Sequence, residues 1–455
     1  MLNRPDAPTP GGSPTLAPPA PAAGKRMSAS AVLWVTLAVF AQESVWNFYD
    51  AQVPEQLREY VTSAGVVGLI MGLDHSLGIF TQPSVGFLSD RLVRRRAGRW
   101  PIVLIGAVIA TVPFVLIPWA GSLPVLMVCV VGFALVANAF KGVTETLISD
   151  YVPTGNLSKA QGFIKAGVGL TIIISSLISL LVVDRSLHLA FAIPPALMLV
   201  MLGLSWMFLG RRHERAVLPE QPTNSPERPT GSPERPTGSP EQPTNSLEGA
   251  PEFTSPWAVL RDALRSPSSP TVLLMIGIFC FSGMWTALRS LNTPYGTEVL
   301  GLTRGEAGGL ALPGAVAFLV CVLPLAYVSD RLGQLRAMRY GVGLFVIGLL
   351  VGFAVPTVPG TVVSTVLSAT GYASFAVNAL VALWNLAPTK KVLGTYTALY
   401  TIASSAGLAL GPALLGLTVD LTGWRYMMLN AAAFAVVTYA VFTLLARRAP
   451  ERSVA

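Results

Sequence analysis

Ser89-Asp90-Arg91-Leu92 recurs 240 residues further along the chain as Ser329-Asp330-Arg331-Leu332. The same offset relates Asn138 to Asn378. Twelve apolar segments surround these positions, and the second six repeat the order of the first six. Duplicated helical halves place a substrate site between them near the bilayer midplane, because rocking one half against the other exposes that site to each side in turn. The repeat therefore predicts a two-halved membrane transporter.

Apolar residues dominate the composition. Of 455 residues, 52% are apolar and 12% are charged, and the mean hydropathy is +0.59. An ordinary soluble domain does not have this composition, so lipid must be the solvent of the chain. We predict an all-α integral membrane protein with 12 transmembrane helices in two pseudo-symmetric six-helix bundles. The predicted spans are 29–50, 64–88, 101–120, 123–147, 160–182, 187–209, 271–291, 307–328, 338–356, 360–385, 393–417 and 424–446, each near the roughly 20 residues of a crossing.

The net charge of +8 follows a pattern along the chain. Arginine and lysine concentrate in alternate loops, such as Arg91, Arg94 and Arg99 or Lys390 and Lys391, whereas the opposite loops carry few. By the positive-inside rule, we predict a plasma membrane protein whose termini and central loop are cytoplasmic. The charge therefore indicates membrane orientation and argues against a nucleic-acid partner.

A proline-rich insert divides the chain. The seven-residue repeat over 219–246 holds two prolines per unit, which forbids a coiled coil and indicates an extended, solvated tether. We predict a spacer there, with a partner-docking segment as the alternative. The predicted organisation is a disordered cytoplasmic N-terminus 1–26, an N-terminal bundle 27–210, a cytoplasmic linker 211–268, a C-terminal bundle 269–448 and a cytoplasmic tail 449–455.

Prolines near the predicted helix ends suggest bending points. Helices one and seven are predicted to end in Val53-Pro54 and Thr293-Pro294-Tyr295, and Gln82-Pro83 marks a predicted break in helix two. Breaks of this kind free backbone carbonyls and give a gate somewhere to bend. The alternative for helices one and seven is a simple terminus at the outer surface.

Acidic residues inside the apolar segments are the strongest functional pattern, since each costs about 2.5–3.5 kcal/mol on insertion scales. On helix one, Glu43, Asn47 and Asp50 share one face, which is predicted to look into the central cavity. Asp74 lies near the middle of helix two, and Glu145 lies on helix four. We predict proton coupling by Asp74, Asp50, Glu43 and Glu145.

Three basic residues nearly balance these acids: Lys141 on helix four, Lys165 on helix five and Arg289 on helix seven. A carboxylate in a low-dielectric cavity can hold a proton at one stage and release it when a cation approaches. That is the chemistry of a proton-coupled carrier. The alternative is that Lys141 with Glu145 and Asp50 with Arg289 form fixed pairs that lock the bundles together.

The sequence shows no enzyme constellation. A phosphate-cradling glycine loop, paired histidines at metal spacing and a serine-histidine-acid set are all missing. Cys129, Cys280 and Cys321 lie in apolar segments and are predicted to serve as small packing residues. Glycines between Gly65 and Gly72 predict close helix packing. We therefore predict no enzymatic activity, no cofactor and no metal.

Helix two and the loop after it carry a family resemblance. They contain Gly72-Leu73-Asp74-His75, Gln82-Pro83-Ser84-Val85-Gly86, Ser89-Asp90-Arg91 and Gly98-Arg99-Trp100-Pro101. With the stretch from Phe48 to Pro54, these motifs resemble the major facilitator superfamily, and within it the cation-coupled glycoside symporters. The resemblance implies the twelve-helix fold and a monomer. It also implies a cytoplasmic gate motif formed by Asp90, Arg91, Arg99, Asp150, Asp330 and Arg331.

The resemblance and the polar seam together predict proton-driven symport of a neutral sugar, a disaccharide or a glucoside. Amide and charged side chains supply directed hydrogen bonds to hydroxyl groups. Two alternatives stay open: proton-antiport efflux of amphipathic compounds through an aromatic and apolar cavity, and a non-transporting sensor or scaffold that uses the 219–246 insert. The predicted sugar-binding residues are Asn47, Asn138, Lys141, Arg289, Asn378 and Trp384.

Overall fold

The computed structural model describes five stretches of the chain, residues 29–94, 98–152, 157–210, 269–387 and 392–448. The predicted N-terminus 1–26, linker 211–268 with its 219–246 repeat, and tail 449–455 lie outside the described residues. Within those stretches, long helices form the fold. They are α1 Ala29–Arg58, α2 Ala64–Arg94, α3 Trp100–Leu116, α4 Leu123–Tyr151, α5 Leu157–Ile178, α6 Leu187–Ser205, α7 Pro270–Leu300, α8 Ala311–Leu332, α9 Gln334–Ala354, α10 Val358–Asn385, α11 Leu393–Thr422 and α12 Met427–Arg448.

Short helical pieces extend several of these helices. Ile117–Trp119 follows α3, the π-helical turns Ser179–Val183 and Trp206–Gly210 follow α5 and α6, and the short helix Arg304–Gly309 precedes α8. In the described residues, 11 helices are long and apolar enough to cross a membrane, and a shorter apolar helix, Gly167–Val183, lies within α5 and its extension. The predicted all-α membrane fold is confirmed.

Each half of the molecule has its own hydrophobic core. One cluster of buried side chains comes from α1 to α6 and includes Phe48, Phe114 and Phe133. The other comes from α7 to α12 and includes Phe281, but it also takes in Ala64 at the start of α2. The halves are therefore two packed bodies, as the sequence repeat predicts, and α2 reaches across the seam between them.

The predicted helix breaks at proline are wrong. α1 and α7 continue through Pro54 and Pro294, and α2 is unbroken past Gln82. A proline removes one helical N–H and displaces the carbonyl one turn earlier, so a helix continues through it only where the freed carbonyls find other partners.

The opposite half of the molecule donates hydrogen bonds to two carbonyls of α1 close to Pro54. Thr293 Oγ1 donates a hydrogen bond to the Ala51 carbonyl at 2.6 Å. Arg304 Nη2 donates another to the Gln52 carbonyl at 2.7 Å. Because both donors belong to the C-terminal half, these bonds join the end of α1 to that half.

Glycines bring α2 and α11 into backbone contact. A Cβ atom on Gly68 would collide with the Pro412 carbonyl, and one on Gly72 would collide with the Ala409 carbonyl. Only residues without a side chain permit helices from the two halves to approach this closely. The glycine-rich run on α2 therefore packs as its sequence predicts.

Contacts of this kind close one end of the molecule. We call it the closed end, and it comprises residues 51–72, 179–187, 293–312 and 409–426. The other end carries the repeated Ser-Asp-Arg-Leu segments, and we call it the arginine-rich end. Because the helices alternate in direction, α2 and α8 each begin at the closed end and finish at the arginine-rich end.

Two arginines link the halves at the closed end. Arg58 forms an ion pair with Glu298, and its guanidinium lies 4.7 Å from the centroid of the Trp424 ring. Arg304 Nε donates to Gln52 Oε1 at 2.9 Å. Both arginines belong to the few basic residues of the loops opposite the arginine-rich ones, and the structure shows that they make cross-half contacts.

Candidate functional site

A cavity lies between the two halves, lined by residues of α1, α5, α7, α8, α9, α10 and α12. It holds about 860 Å³ of empty space, open solvent at its mouth included. Its main polar lining residues are Asn47, Asp50, Ser175, Ser176, Arg289, Asn292, Ser364, Thr365 and Ser368.

Arg289 on α7 connects the halves at this cavity. Its Nη2 lies 3.1 Å from Asp50 Oδ2 and also donates to Asn47 Oδ1. Asn47 in turn donates from Nδ2 to Thr171 Oγ1 at 2.5 Å. The Asp50–Arg289 pair, one of the two pairs that the sequence offered, is therefore present. It ties α1 to α7 beside the cavity.

A second ion pair lies inside the N-terminal half. Lys141 Nζ on α4 lies 2.8 Å from Glu43 Oε1 on α1. The same ammonium lies 5.7 Å from the centroid of the Trp46 ring, within the range of a cation–π contact. The alternative that paired Lys141 with Glu145 is wrong, because the partner at ion-pair distance comes from the facing helix and Glu145 is exposed.

Asp74 is buried in the middle of α2, with 3% of its surface exposed. Its Oδ1 accepts a hydrogen bond from the His75 backbone N–H at 2.6 Å and lies 3.8 Å from His75 Nε2. Among the described side chains, no lysine or arginine lies within ion-pair distance of this carboxylate, whereas Glu43 and Asp50 each have such a cation. Of the four predicted acids, Asp74 is the most deeply buried.

Asn138 and Asn378 occupy equivalent positions in the two halves and connect neighbouring helices. Asn138 Nδ2 donates to the Asp74 carbonyl on α2 at 2.9 Å. Asn378 Nδ2 donates to Ser329 Oγ on α8 at 2.7 Å. Both asparagines are buried, and neither lines the cavity. The structure therefore does not bring these two predicted sugar ligands to the site.

Replacing Asn378 with alanine should reduce stability without changing substrate affinity. The loss of its interhelical hydrogen bond should lower the free energy of unfolding by roughly 0.6 to 1.7 kcal/mol, the range measured for such bonds in membrane proteins. Thermal unfolding in detergent and the KM for transport test this. Asn292→Ala is the matched control, because Asn292 lines the cavity and its loss should raise KM. A raised KM in the Asn378 variant would show that this residue contributes to substrate binding.

Trp384 is also remote from the cavity lining. It is 36% exposed near the arginine-rich end of α10, and its Nε1 donates to Thr397 Oγ1 at 2.9 Å. Of the predicted sugar-binding residues, Asn47 and Arg289 line the cavity, and Lys141 is held by its ion pair.

The predicted gate motif is described only in part. Arg99 and Asp150 form an ion pair at the arginine-rich end, which joins the start of α3 to the end of α4. Arg331 is exposed and donates a hydrogen bond within its own helix. The side chains of Asp90 and Asp330 lie outside the described residues.

The C-terminal half gives the cavity an aromatic wall. Trp285 stacks on Tyr372 with ring centroids 4.0 Å apart and ring planes 4° from parallel. Phe318, whose ring centroid is 6.1 Å from that of Tyr372, lines the same space together with Met427 and Met428. Sequence reasoning missed Phe318, Met427 and Met428, because isolated aromatic and methionine residues in apolar helices form no pattern that separates cavity from core.

The site combines two charge pairs, a buried acid and a cavity at the seam of two similar halves. The described residues contain no cluster of three or more histidine, cysteine or acidic side chains that could hold a metal ion. Two duplicated helical halves around a central cavity, joined at one end, are the architecture of secondary transporters that work by alternating access. The class of protein is therefore a membrane transporter.

The chain belongs to the Major Facilitator Superfamily, whose model matches residues 27–323 and 274–455. Among proteins of known role, it is 26% identical over 181 residues to "Tetracycline resistance protein, class H" of Pasteurella multocida. It is 30% identical over 143 residues to "Drug efflux pump JefA" of Mycobacterium tuberculosis (strain CDC 1551 / Oshkosh). These matches span 38% and 31% of this chain, and only 44% and 27% of the two relatives.

Solved structures show the same fold at low sequence identity. A bacterial homolog to the human lysosomal transporter Spinster, in an inward-facing and unoccupied conformation, aligns with a TM-score of 0.67 at 16% identity, covering 92% of this chain and 96% of that one. The nucleoside transporter NupG aligns with a TM-score of 0.66 at 11% identity, covering 91% of this chain and 98% of that one. The likeness establishes the fold and leaves the substrate open.

Proposed function

We propose that this transporter exports amphipathic, ring-containing compounds in exchange for protons. The observation that carries the proposal is the division of the cavity into an aromatic wall and a charged wall. Trp285 and Phe318 lie on the C-terminal side, and Asp50 with Arg289 spans the seam. Aromatic and apolar walls bind amphipathic molecules through burial and stacking, while a few polar groups set orientation. The roles named for the two relatives, tetracycline resistance and drug efflux, also support export of such compounds.

For coupling, we assign the proton to Asp74 and the exchange between proton and substrate to Asp50. A substrate that enters from the arginine-rich end competes with Asp50 for Arg289, which weakens the link between α1 and α7 and favours opening of the closed end. A proton taken up by Asp74 from that opened side accompanies loss of the substrate and re-formation of the Asp50–Arg289 pair, and it is released after the molecule returns to the present arrangement. Glu43, held by Lys141, and Glu145 remain proposed secondary acids in this scheme.

The charge pattern supports a proposed orientation. The arginine-rich end faces the cytoplasm of a plasma membrane protein, with both termini on that side. The closed end then faces outward, and the conformation described here is inward-facing. An exporter in this state accepts its substrate from the cytoplasm or from the inner leaflet.

Proton-driven sugar symport, which the sequence predicted first, is the second candidate. Its supporting observation is a set of hydroxyl groups in the cavity, Ser175 on α5 and Ser364, Thr365 and Ser368 on α10. Hydroxyl groups both donate and accept hydrogen bonds and suit neutral polyols. This candidate stands second because the paired asparagines counted as sugar ligands serve helix packing. The scaffold alternative depends on the 219–246 insert, which lies outside the described residues.

The direction of proton movement tests the proposal. Proteoliposomes are loaded with tetracycline, ethidium, sucrose, maltose or glucose and diluted, and an internal dye reports lumen pH. Antiport predicts that departing tetracycline or ethidium draws protons inward and acidifies the lumen relative to protein-free liposomes. Symport predicts that a departing sugar carries protons out and makes the lumen alkaline. Alkalinisation with a sugar and no response to the ring compounds would reverse the order of the candidates.

Truncation of the aromatic wall should weaken binding of ring compounds. Trp285→Ala removes a stacking contact of about 0.5–1.5 kcal/mol, so the apparent affinity for ethidium should fall up to roughly tenfold. Trp285→Phe should retain most of it. Trp384→Ala is the matched control, because that indole lies outside the cavity lining. Equal losses in the Ala variants at 285 and 384 would contradict the proposed wall.

A further inference from the structure

Two aspartates at the closed end make the same contact in opposite directions. Asp420 at the end of α11 accepts hydrogen bonds through Oδ2 from Ser63 Oγ at 2.6 Å and from the Gly65 N–H at 2.9 Å. Its Oδ1 accepts from the Ala64 N–H at 2.7 Å. Because α2 begins at Ala64, a carboxylate of the C-terminal half binds the N-terminus of a helix of the N-terminal half.

Asp184, after the π-helical end of α5, makes the reciprocal contact. Its Oδ2 accepts from Thr303 Oγ1 at 2.6 Å, and its Oδ1 accepts from the Gly305 N–H at 2.8 Å. These groups begin the short helix Arg304–Gly309 that leads into α8. Here a carboxylate of the N-terminal half binds a helix start of the C-terminal half.

The residues that receive the two carboxylates are repeat equivalents. Ser63 and Gly65 lie at the same 240-residue offset from Thr303 and Gly305 as the Ser-Asp-Arg-Leu motifs lie from each other. Each hydroxyl also accepts a hydrogen bond from the backbone N–H three residues later, so it caps its own helix while it donates to the aspartate. The duplication has thus preserved the cap and the glycine, and in each case a carboxylate from the other half binds them, although the two aspartates are not repeat equivalents.

The glycines permit the close approach. A Cβ atom on Gly65 would lie 3.0 Å from Asp420 Oδ2, and one on Gly305 would lie 2.5 Å from Asp184 Oδ2. Those distances are shorter than ordinary Cβ contacts, so a side chain would push the carboxylate away. Unpaired N–H groups and the helix dipole both favour an anion at a helix start, which makes each contact attractive.

We propose that Asp184 and Asp420 form two matched latches that hold the closed end shut and set the ratio of its closed to its open form. The latches lie on different helix pairs, α5 with α8 and α2 with α11, so both must break when one half rocks away from the other. Each aspartate acts as a positioning residue for transport and does not line the cavity. The inference depends only on alternating access and holds for import or export.

The test measures how often the closed end opens. Thr365, which lines the cavity, is replaced by cysteine in a chain whose Cys129, Cys280 and Cys321 are alanine. A membrane-impermeant maleimide is added only on the side that the closed end faces. Its rate of reaction is proportional to the fraction of molecules open to that side, so even a small population is detected.

Loss of one latch should raise the labelling rate about tenfold. Losing a helix-capping contact to a charged group shifts the equilibrium between the closed and open forms by about a factor of ten. Asp420→Ala and Asp184→Ala should each show this, and the double variant should label roughly a hundredfold faster than the parent because the effects multiply. Labelling from the arginine-rich side should slow only in proportion to the fraction of molecules that leaves the present state.

Two variants within one half are the matched controls. Glu306→Ala removes the side chain that accepts from the Thr303 N–H at 3.0 Å, and Ser186→Ala removes the cap of α6, but neither contact joins the halves. Both should label at the parent rate. If Asp420→Ala does not fold, Ser63→Ala removes one bond of the same latch and should raise the rate by a smaller factor. Unchanged rates in folded latch variants, or a double variant no faster than the singles, would overturn the proposal.

Discussion

Replacing Asp74 with asparagine should abolish uphill transport while leaving the protein folded. Asparagine has nearly the same shape and can still accept the hydrogen bond from the His75 N–H, but it cannot carry a proton. A potential of 100 mV does about 2.3 kcal/mol of work on one proton, which sustains roughly a forty-fold substrate gradient. In the variant that gradient should fall to about one. The measurement is the steady-state accumulation ratio in proteoliposomes under an imposed proton gradient.

Glu145→Gln is the matched control for this result. Glu145 lies in the same half and was predicted from sequence to share in coupling, but the structure places it in an exposed position on α4. The variant should retain most of the parent's accumulation, and downhill exchange should persist in both variants. Loss of accumulation in Glu145→Gln, with normal accumulation in Asp74→Asn, would assign proton coupling to Glu145 instead of Asp74.

Replacing Gly72 with alanine should reduce transport to less than about a tenth of the parent rate. The added methyl group would collide with the Ala409 carbonyl, and backbone atoms cannot move aside as a flexible side chain can. Overpacking of this kind costs about 1–3 kcal/mol, and here it is relieved when α2 separates from α11. The variant should therefore accumulate with its closed end open, and it should label faster in the Thr365→Cys assay.

Gly86→Ala supplies the control on the same helix. A Cβ atom on Gly86 meets no neighbouring atom within 4 Å, so the substitution adds only helix propensity, about 1 kcal/mol in favour of alanine. Transport by this variant should match the parent, and its thermal stability should be equal or higher. Parent-like transport by Gly72→Ala would show that the contact between α2 and α11 is not required to close the end.

Much of the site could be located from the sequence, but the partners of its residues could not. The face of helix one that carries Asn47 and Asp50 does line the cavity, and Arg289 does pair with Asp50. The partner of Lys141 was assigned to its own helix, whereas it comes from α1. Helical spacing gives neighbours along one helix, but the neighbour across a seam depends on the rotation of both helices.

The asparagine pair shows the same limit. Its repetition at a constant offset was a correct sign of the duplication, and both residues are buried in polar contacts. Sequence could not decide whether those contacts go to a ligand or to an adjacent helix, because an amide suits either role. In the structure both amides bond to an adjacent helix: Asn138 donates to α2 and Asn378 donates to α8.

The sequence by itself determined the membrane solvent, the helices, the two halves and the position of the seam. These follow from hydropathy, segment length and repetition, which are local or periodic properties of the chain. Only the tertiary structure decided which ion pairs form, that α1 continues through Pro54, and how Asp184 and Asp420 join the halves. Each of these features depends on the packing of different helices, so it is established only after those helices have packed.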